Sequence, residues 1–297
     1  MSLIENALQR LRRVGDAESG PAVIAPRGPV ADAAATKATA VVAGAPVPAV
    51  ELHTRHIGID QKALRSTGYL PEAGLERRFA DHYRHIKRPL IERALGGSAE
   101  MRLILVSSAL PGDGKTFTSI NLALSIARER DVSVLLVDAD APRAHVSEVF
   151  RIREQPGLLD ALVDESLDVE SLVERSDVRG FEILPAGRLV ENATELLASA
   201  RMNQVAARLA AGNPRRLVLF DSAPLLVSSE ARALLRIPGQ VVLVVRADLT
   251  PRQAIQEALS HVDKNKLSGL VLNHTAFKPG GYYGYYGYGE DDASTST

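Results

Sequence analysis

Short apolar runs alternate with helical patterns through residues 103–273 of the chain. The runs are rich in Val, Leu and Ile, and they predict strands at Leu103–Ser107, Ser133–Asp138, Phe181–Pro185, Arg216–Asp221, Gln240–Arg246 and Leu267–Asn273. Helical patterns lie between them, at about 115–129, 193–211, 229–236 and 251–262. Buried strands separated by helices are typical of βαβ units. The pattern therefore predicts an α/β fold, with a mostly parallel sheet covered by helices on both faces.

The segments on either side of this region have different patterns. Residues 1–15 place Leu3, Ile4, Leu8 and Leu11 on one helical face, which predicts a short amphipathic helix. Residues 16–70 are rich in Ala and Pro and poor in large apolar side chains, so we expect a disordered linker. The folded domain is predicted to span 71–275, and 276–297 to form a flexible, tyrosine-rich tail.

Composition narrows the classes of function. Lys plus Arg number 35 and Asp plus Glu 36 among 297 residues, so no strong positive field favours nucleic acid as a partner. There is no Cys, which excludes disulfides, thiolate zinc sites and iron–sulfur clusters and fits a reducing cytoplasm. No run approaches the roughly 20 apolar residues of a membrane-spanning helix, so we expect a soluble chain.

A glycine-containing loop follows the first predicted strand and precedes a helix. It reads Ser107-Ser-Ala-Leu-Pro-Gly-Asp-Gly-Lys-Thr116. A nucleotide phosphate site needs this order, because backbone N–H groups and the helix N-terminus attract the anion. We expect Lys115 to reach the β- and γ-phosphates of ATP and the Thr116 hydroxyl to bind Mg²⁺. The predicted nucleotide-binding residues are Pro111, Gly112, Asp113, Gly114, Lys115, Thr116 and Phe117.

Aspartates end two of the predicted strands. Asp138 and Asp140 come at the end of the second strand and Asp221 at the end of a later one. The carboxyl edge of an open α/β sheet is where ligands bind, and carboxylate oxygens suit Mg²⁺. A single strand-terminal Asp is often only a helix cap, but three beside Gly-Lys-Thr are harder to explain that way. We predict that Thr116, Asp138 and Asp221 hold the metal.

These motifs resemble those of a known family. Ser-Ser-x-x-Pro-Gly-Asp-Gly-Lys-Thr, Val-Asp-Ala-Asp and Phe-Asp-Ser-Ala-Pro-Leu-Leu are similar to the Walker A, A′ and B motifs of bacterial tyrosine kinases. Shorter matches include Leu184-Pro-Ala-Gly187, Val245-Arg-Ala-Asp-Leu-Thr-Pro251 and Gly269-Leu-Val-Leu-Asn273. The Ser2-Leu-Ile-Glu-Asn-Ala-Leu8 start resembles the exosortase-associated tyrosine autokinases. Ala109 departs from the strict pattern, since it stands in place of the first loop glycine.

The resemblance implies a P-loop NTPase fold of the MinD/ParA type and an ATP- and Mg²⁺-dependent protein-tyrosine kinase. It implies a helix at 75–95 that assembles homo-oligomeric rings through a Glu-x-x-Arg-x-x-Arg pattern, here Asp81, Arg84 and Lys87. It also implies a transmembrane polysaccharide co-polymerase as partner. The chain would then be cytoplasmic, peripheral to the inner membrane through that partner, and would regulate exopolysaccharide polymerisation and export.

The tail supplies candidate phosphate acceptors. Five of the chain's seven tyrosines are Tyr282, Tyr283, Tyr285, Tyr286 and Tyr288. A Gly/Tyr tail on its own is more often a segment without chemistry. Beside a kinase-like ATP site the cluster becomes the expected acceptor. In this hypothesis Lys115 neutralises phosphate charge, and either Asp138 or Asp140 orients the tyrosine hydroxyl and accepts its proton.

Two other functions fit the same fold. A positioning ATPase of the ParA/MinD class carries an extra loop lysine at the position of Leu110 and needs no tyrosine cluster. A nucleotide-dependent scaffold could have its tail phosphorylated by another kinase. The complete set of Lys115, Thr116, Asp138, Asp140 and Asp221 favours a catalyst over a scaffold.

Overall fold

A computed structural model describes residues 56–275 of the chain. The predicted amphipathic helix, most of the linker and the tyrosine cluster lie outside these residues. The strands are β1 His56–Ile57, β2 Leu103–Ser108, β3 Ser133–Asp138, β4 Glu174–Ser176, β5 Phe181–Leu184, β6 Arg216–Asp221, β7 Gln240–Arg246 and β8 Leu267–Asn273. The helices are α1 Gln61–Ser66, α2 Glu76–Gly96, α3 Lys115–Ala127, α4 His145–Val149, α5 Leu158–Val163, α6 Ala193–Leu197, α7 Ala200–Ala211, α8 Ser229–Leu234 and α9 Arg252–Ser260. Two 3₁₀ helices span Ala99–Arg102 and Val169–Leu172.

The described strands form one sheet in the order β1-β4-β5-β3-β6-β2-β7-β8. Neighbouring strands are parallel except β4 and β5, which are antiparallel. The carboxyl ends of β2, β3 and β6 therefore meet at one edge, and Asp138 lies opposite Asp221 in the register of β3 and β6. That edge carries the candidate site.

The sheet is buried on both faces, as the continuous apolar runs predict. In β2, Leu103 and Leu105 belong to one core cluster, while Ile104 and Val106 belong to the other. Helices α5 to α9 contribute side chains to the first cluster, and α1 to α4 to the second. Successive side chains of a strand point to opposite faces, so a central strand covered on both faces is apolar along most of its length, with polar residues towards its ends. The predicted fold class is confirmed.

The six strands predicted from the sequence are present, but one predicted helix is not continuous. The pattern at 193–211 is divided into α6 and α7. The division falls at Ser199, whose hydroxyl accepts a hydrogen bond from Met202 N at 3.2 Å and so caps the second helix. A serine that binds the third N–H ahead of it favours a new helix start over continuation.

The predicted boundary between linker and domain lies too late in the chain. Residues 56–70, assigned to the linker, contain β1 and α1, and β1 pairs in parallel with β4. Ile59 and Leu64 are buried in the second core cluster, and Ile59 N donates to Asp177 Oδ1 at 3.0 Å. The segment has apolar residues, but its strand and helix are too short for them to show a recognisable period. It folds because its apolar side chains pack against the rest of the domain.

The predicted self-assembly helix is present as α2, with Tyr83, Lys87, Leu90 and Ala94 buried. Lys87 is 6% exposed, its Nζ donates to Ser125 O at 2.6 Å, and it pairs with Glu129 at 2.7 Å. The charge of Lys87 is therefore bound within its own chain, so of the three predicted self-assembly residues it is the least available to another subunit. Asp81 and Arg84 are exposed and pair with each other at 2.6 Å.

Within residues 56–275, no helix is both long enough and apolar enough to cross a bilayer.

Candidate active site

The predicted phosphate loop connects β2 to α3. Gly112 and Gly114 have φ of 83° and 93°, in the left-handed region that glycine adopts without strain. Helix α3 begins immediately after Gly114. Ala109 is buried in the core and is not among the residues with positive φ, so this position does not require the missing glycine. The departure from the strict pattern leaves the loop conformation intact.

Residues from the ends of β7 and β8 brace this loop. Asp113 is 3% exposed, and its carboxylate accepts from Leu110 N at 3.0 Å and from Thr250 Oγ1 at 2.7 Å. Asn273 Nδ2 donates to Asp113 O at 3.0 Å. Sequence reasoning did not predict Thr250 or Asn273 as site residues. Both residues lie in short motifs that resemble those of bacterial tyrosine kinases, Thr250 in Val245–Pro251 and Asn273 in Gly269–Asn273. Those motifs are the sequence signal that could have identified them.

Lys115 is held at the centre of the acidic cluster. Its Nζ lies 2.7 Å from Asp140 Oδ2 and 3.4 Å from Thr116 Oγ1. Burial alone would lower the pKa of Lys115, but the carboxylates of Asp221 and Asp140 outweigh it, and the pKa is raised. The side chain is therefore a buried cation that points at the same space as the aspartates.

Asp221 binds two hydroxyls of α3. Its Oδ2 accepts from Thr116 Oγ1 and its Oδ1 from Ser119 Oγ, each at 2.8 Å. The carboxyl group is fully buried, and burial raises its pKa. Ser119 was not predicted from the sequence. It lies three residues after Thr116, on the same face of the helix, so the helical period is the signal that could have found it.

Asp138 has one paired and one unpaired oxygen. Oδ2 accepts from the backbone N and the Oγ of Ser147, each at 2.7 Å, while Oδ1 is buried without a hydrogen-bond partner among residues 56–275. Burial raises the pKa of Asp138 to about 7, although the Ser147 hydrogen bonds oppose the shift. Ser147 in α4 is nine positions from Asp138, and no sequence pattern marked it.

The structure thus brings Lys115, Thr116, Asp138, Asp140 and Asp221 to one edge of the sheet. The Phe117 ring is directed elsewhere, since it packs edge-on against Phe79 with centroids 6.1 Å apart. Of Phe117, only the backbone can serve a nucleotide at this loop. The five tail tyrosines are outside the described residues.

The donor atoms of the cluster suit Mg²⁺ held together with a nucleotide. The Thr116 hydroxyl, the Asp221 carboxylate and the unpaired Oδ1 of Asp138 are oxygen ligands of the kind that Mg²⁺ prefers. No group of three acidic or histidine side chains able to hold a metal ion occurs in the described part of the chain. An octahedral Mg²⁺ at this site would therefore need phosphate oxygens and water to complete its coordination.

The raised pKa of Asp138 predicts a pH-dependent effect of Asp138→Asn on stability. An acid whose pKa rises from 3.8 to about 7 on folding stabilises the fold below its unfolded pKa, and this contribution is lost as the pH rises through about 7. Asparagine does not ionise. In protein free of nucleotide and Mg²⁺, the variant should gain several degrees in Tm over the wild type between pH 4 and 8. Thermal melts across that range test this, and a constant difference in Tm would contradict it.

Comparison with known proteins supports a kinase. Residues 101–271 match the family model of the AAA domain. The tyrosine-protein kinase YwqD of Bacillus subtilis is 32% identical over 191 residues, covering 63% of this chain and 78% of that protein. The chain belongs to the bacterial tyrosine-kinase family. The tyrosine-protein kinase wzc of Salmonella typhimurium is 29% identical over 194 residues. The kinase described here spans 26% of the length of wzc.

Solved structures agree with this assignment. The VpsO kinase domain superposes with a TM-score of 0.54 at 28% identity, covering 67% of this kinase and 99% of that chain. The BceF tyrosine kinase domain superposes with a TM-score of 0.58 at 26% identity, covering 72% of this kinase and 86% of that chain. The sequence identity to both kinase domains is high enough to support a shared family as well as a shared fold. The P-loop NTPase fold and the protein-tyrosine kinase class are therefore established for this chain.

Proposed function

We propose that this kinase is an autokinase, which transfers the γ-phosphoryl group of ATP to the C-terminal tyrosines of another copy of the same chain. The observation that carries the proposal is the buried cluster of Lys115 with three aspartates at the end of the phosphate loop. A phosphoryl-transfer site needs a cation for the phosphates, oxygen ligands for Mg²⁺ and a proton acceptor. The acceptors are the five tail tyrosines, which lie after residues 274–281 on the C-terminal side of the last strand.

In the proposed reaction, the tyrosine Oη attacks the γ-phosphorus, the bond from that phosphorus to the β–γ bridging oxygen breaks, and ADP leaves. Backbone N–H groups of Gly112 to Thr116 bind the phosphates, and Lys115 offsets their charge. Mg²⁺ held by Thr116 and Asp221 would supply further positive charge to the transferred group, and this leaves the unpaired Oδ1 of Asp138 for the proton. Free tyrosine has a pKa of about 10, so the nucleophile arrives protonated and its proton must be accepted.

We assign the proton acceptor to Asp138 rather than Asp140. Asp140 Oδ2 is bound to Lys115 at 2.7 Å, whereas Asp138 Oδ1 is buried without a described hydrogen-bond partner. Burial also gives Asp138 a pKa of about 7, and proton acceptors work best when their pKa lies near the working pH. Ser147 fixes the carboxylate through its other oxygen.

The proposed role in the cell is inferred from the family to which the chain belongs. We propose that the chain assembles into homo-oligomers through a surface that includes Asp81 and Arg84, both exposed on α2. We further propose that it acts at the cytoplasmic face of the inner membrane, with a transmembrane polysaccharide co-polymerase as partner. Its phosphorylation state would then regulate exopolysaccharide polymerisation and export. The sequence at residues 2–8 supports a place among the exosortase-associated kinases.

Intact-protein mass spectrometry tests the autokinase. Purified, phosphatase-treated chain is incubated with ATP and Mg²⁺, beside a variant with all five tail tyrosines changed to Phe. The wild type should gain several phosphoryl masses and the variant none, although it keeps Tyr69 and Tyr83. An equal gain in the variant would place the acceptors elsewhere. ATP hydrolysis without any mass gain would instead indicate a positioning ATPase.

A further inference from the structure

The phosphate loop itself contains a carboxylate. Asp113 lies between Gly112 and Gly114, two residues before Lys115, and it is only 3% exposed. The backbone N–H groups of this loop and the Lys115 side chain are the groups that attract phosphate. A negative charge on the same loop opposes that attraction, and it does so most strongly when it is buried. The direction in which the Asp113 carboxylate points therefore affects nucleotide binding.

Both oxygens of the Asp113 carboxylate accept hydrogen bonds. Oδ2 accepts from Leu110 N at 3.0 Å, and Oδ1 accepts from Thr250 Oγ1 at 2.7 Å. Thr250 lies in the segment that follows β7. In the sheet, β7 lies on one side of β2, while β6 and β3, whose ends carry Asp221 and Asp138, lie on the other. The Thr250 hydroxyl therefore draws the carboxylate toward β7 and away from the strand ends that carry the other aspartates.

Thr250 is itself held in one position. Its Oγ1 accepts from Arg246 N at 3.0 Å, and its backbone N donates to Arg246 O at 3.1 Å. Arg246 is the last residue of β7, so these two hydrogen bonds fix the hydroxyl to the end of the sheet. Because Oγ1 accepts from Arg246 N, its own hydrogen is available for donation to Asp113 Oδ1. A hydrogen bond to an ionised acceptor is stronger than one between neutral groups.

The backbone of Asp113 is fixed by a separate contact. Asn273 Nδ2 donates to Asp113 O at 3.0 Å, and Asn273 O accepts from Ala247 N at 2.9 Å. The main chain and the side chain of Asp113 are thus attached to the ends of β8 and β7 independently. A change that breaks only the bond from Thr250 leaves the main-chain contact in place, so its effect reports the carboxylate.

We propose that Thr250 is a positioning residue for nucleotide binding, which holds the Asp113 carboxylate toward β7 and so keeps its charge away from the phosphates of ATP. Thr250 acts through Asp113 and does not itself contact the nucleotide. Without the hydroxyl, Oδ1 of a buried carboxylate has lost its donor, and leaving it unpaired is costly. The nearest alternative donors are the loop N–H groups and Lys115. Since these are the groups that bind phosphate, the released carboxylate would compete with ATP for them.

Thr250→Val tests the proposal, because valine keeps the branched shape of threonine and removes only the hydroxyl. In the full chain with Mg²⁺, it should raise the Kd of a fluorescent ATP analogue about ten-fold, the effect of one charged hydrogen bond. Thr250→Ser keeps the hydroxyl, and its Kd should stay within about two-fold of the wild-type value.

Asp113→Asn separates the charge from the hydrogen bond. The double variant Thr250→Val/Asp113→Asn has neither the hydroxyl nor the carboxylate, so nothing competes with the phosphates. Its Kd for the ATP analogue should return to within about three-fold of the wild-type value. If Thr250 only stiffened the loop, the double variant would bind as weakly as Thr250→Val or more weakly, and that result would overturn the proposal.

Thr194→Val is the matched control. Thr194 Oγ1 donates to Glu230 Oε1 at 2.7 Å, which is the same kind of bond at the same length, but it joins α6 to α8 outside the site. Thermal melts without nucleotide should show a lower Tm for both Thr→Val variants, whereas only Thr250→Val should lose ATP affinity. An unchanged Kd in Thr250→Val, or an equal loss in Thr194→Val, would also overturn the proposal. All of these measurements report nucleotide binding, so a failure to phosphorylate tyrosine would count only against the autokinase function.

Discussion

Lys115→Met is expected to reduce tyrosine phosphorylation by at least about a hundred-fold, the effect of removing one preorganised charge from a transition state. The wild-type side chain is a buried cation within hydrogen-bonding distance of Asp140 and Thr116. Methionine is similar in length to lysine and fits the same space. The loss of activity therefore measures the contribution of the positive charge rather than that of side-chain volume. Steady-state phosphorylation rates of an acceptor peptide measure the effect, and a folded variant that keeps more than about a tenth of the rate contradicts the assigned role.

The same variant leaves Asp140 without its cation. Breaking a buried ion pair by removing one partner costs about 3–5 kcal/mol of the free energy of unfolding. Lys115→Met should therefore lower Tm as well as activity. The double variant Lys115→Met/Asp140→Asn removes both charges, and it should recover much of the stability while remaining inactive. Activity that returns together with Tm would show that Lys115 acts only through folding.

Gly114→Ala is expected to lower ATP affinity about a hundred-fold, and Gly112→Ala only about ten-fold. Both residues have positive φ, so alanine introduces backbone strain of roughly 1–2 kcal/mol at either position. At Gly114 the new Cβ would also clash with Asn273 Nδ2, whereas at Gly112 the nearest atom outside the adjoining residues, Arg246 Nη1, is 3.9 Å away. The difference between the two variants therefore measures the displacement of Asn273 from the loop.

Titration with a fluorescent ATP analogue gives both affinities. The double variant Gly114→Ala/Asn273→Ala removes the clash but keeps the strain, so its affinity should approach that of Gly112→Ala. If Gly112→Ala and Gly114→Ala lose affinity equally, the contact between Asn273 and the loop has no part in nucleotide binding.

The fold could be read from the sequence because its signals are local. Each central strand is a continuous apolar run, and each ends near a polar or glycine residue. The loop before Lys115 and the aspartates at the ends of β3 and β6 are local signals as well. Parallel strands bring their carboxyl ends together, so Asp138 and Asp221 could be placed at one edge before the structure was known.

The residues that support the site depend on contacts between distant segments. Thr250 reaches Asp113 across 137 positions, and Asn273 reaches it across 160. Hydrophobic periodicity carries no information about such partners. Lys87 illustrates the same limit, because a charge pattern on a helix does not reveal that one lysine is buried against α3. Residues 56–70 resemble a linker in sequence because β1 and α1 are too short for Ile59 and Leu64 to create a recognisable period.

The transfer of phosphate from the ATP site of one copy to the tail of another is tested most directly by mixing two variants. The donor has an intact site and five Phe residues in place of the tail tyrosines, and the acceptor is full-length Lys115→Met with its tyrosines intact. After incubation with ATP and Mg²⁺, intact-mass spectrometry should find several phosphoryl groups on the acceptor and none on the donor. An acceptor that gains no mass while the donor hydrolyses ATP would contradict the account.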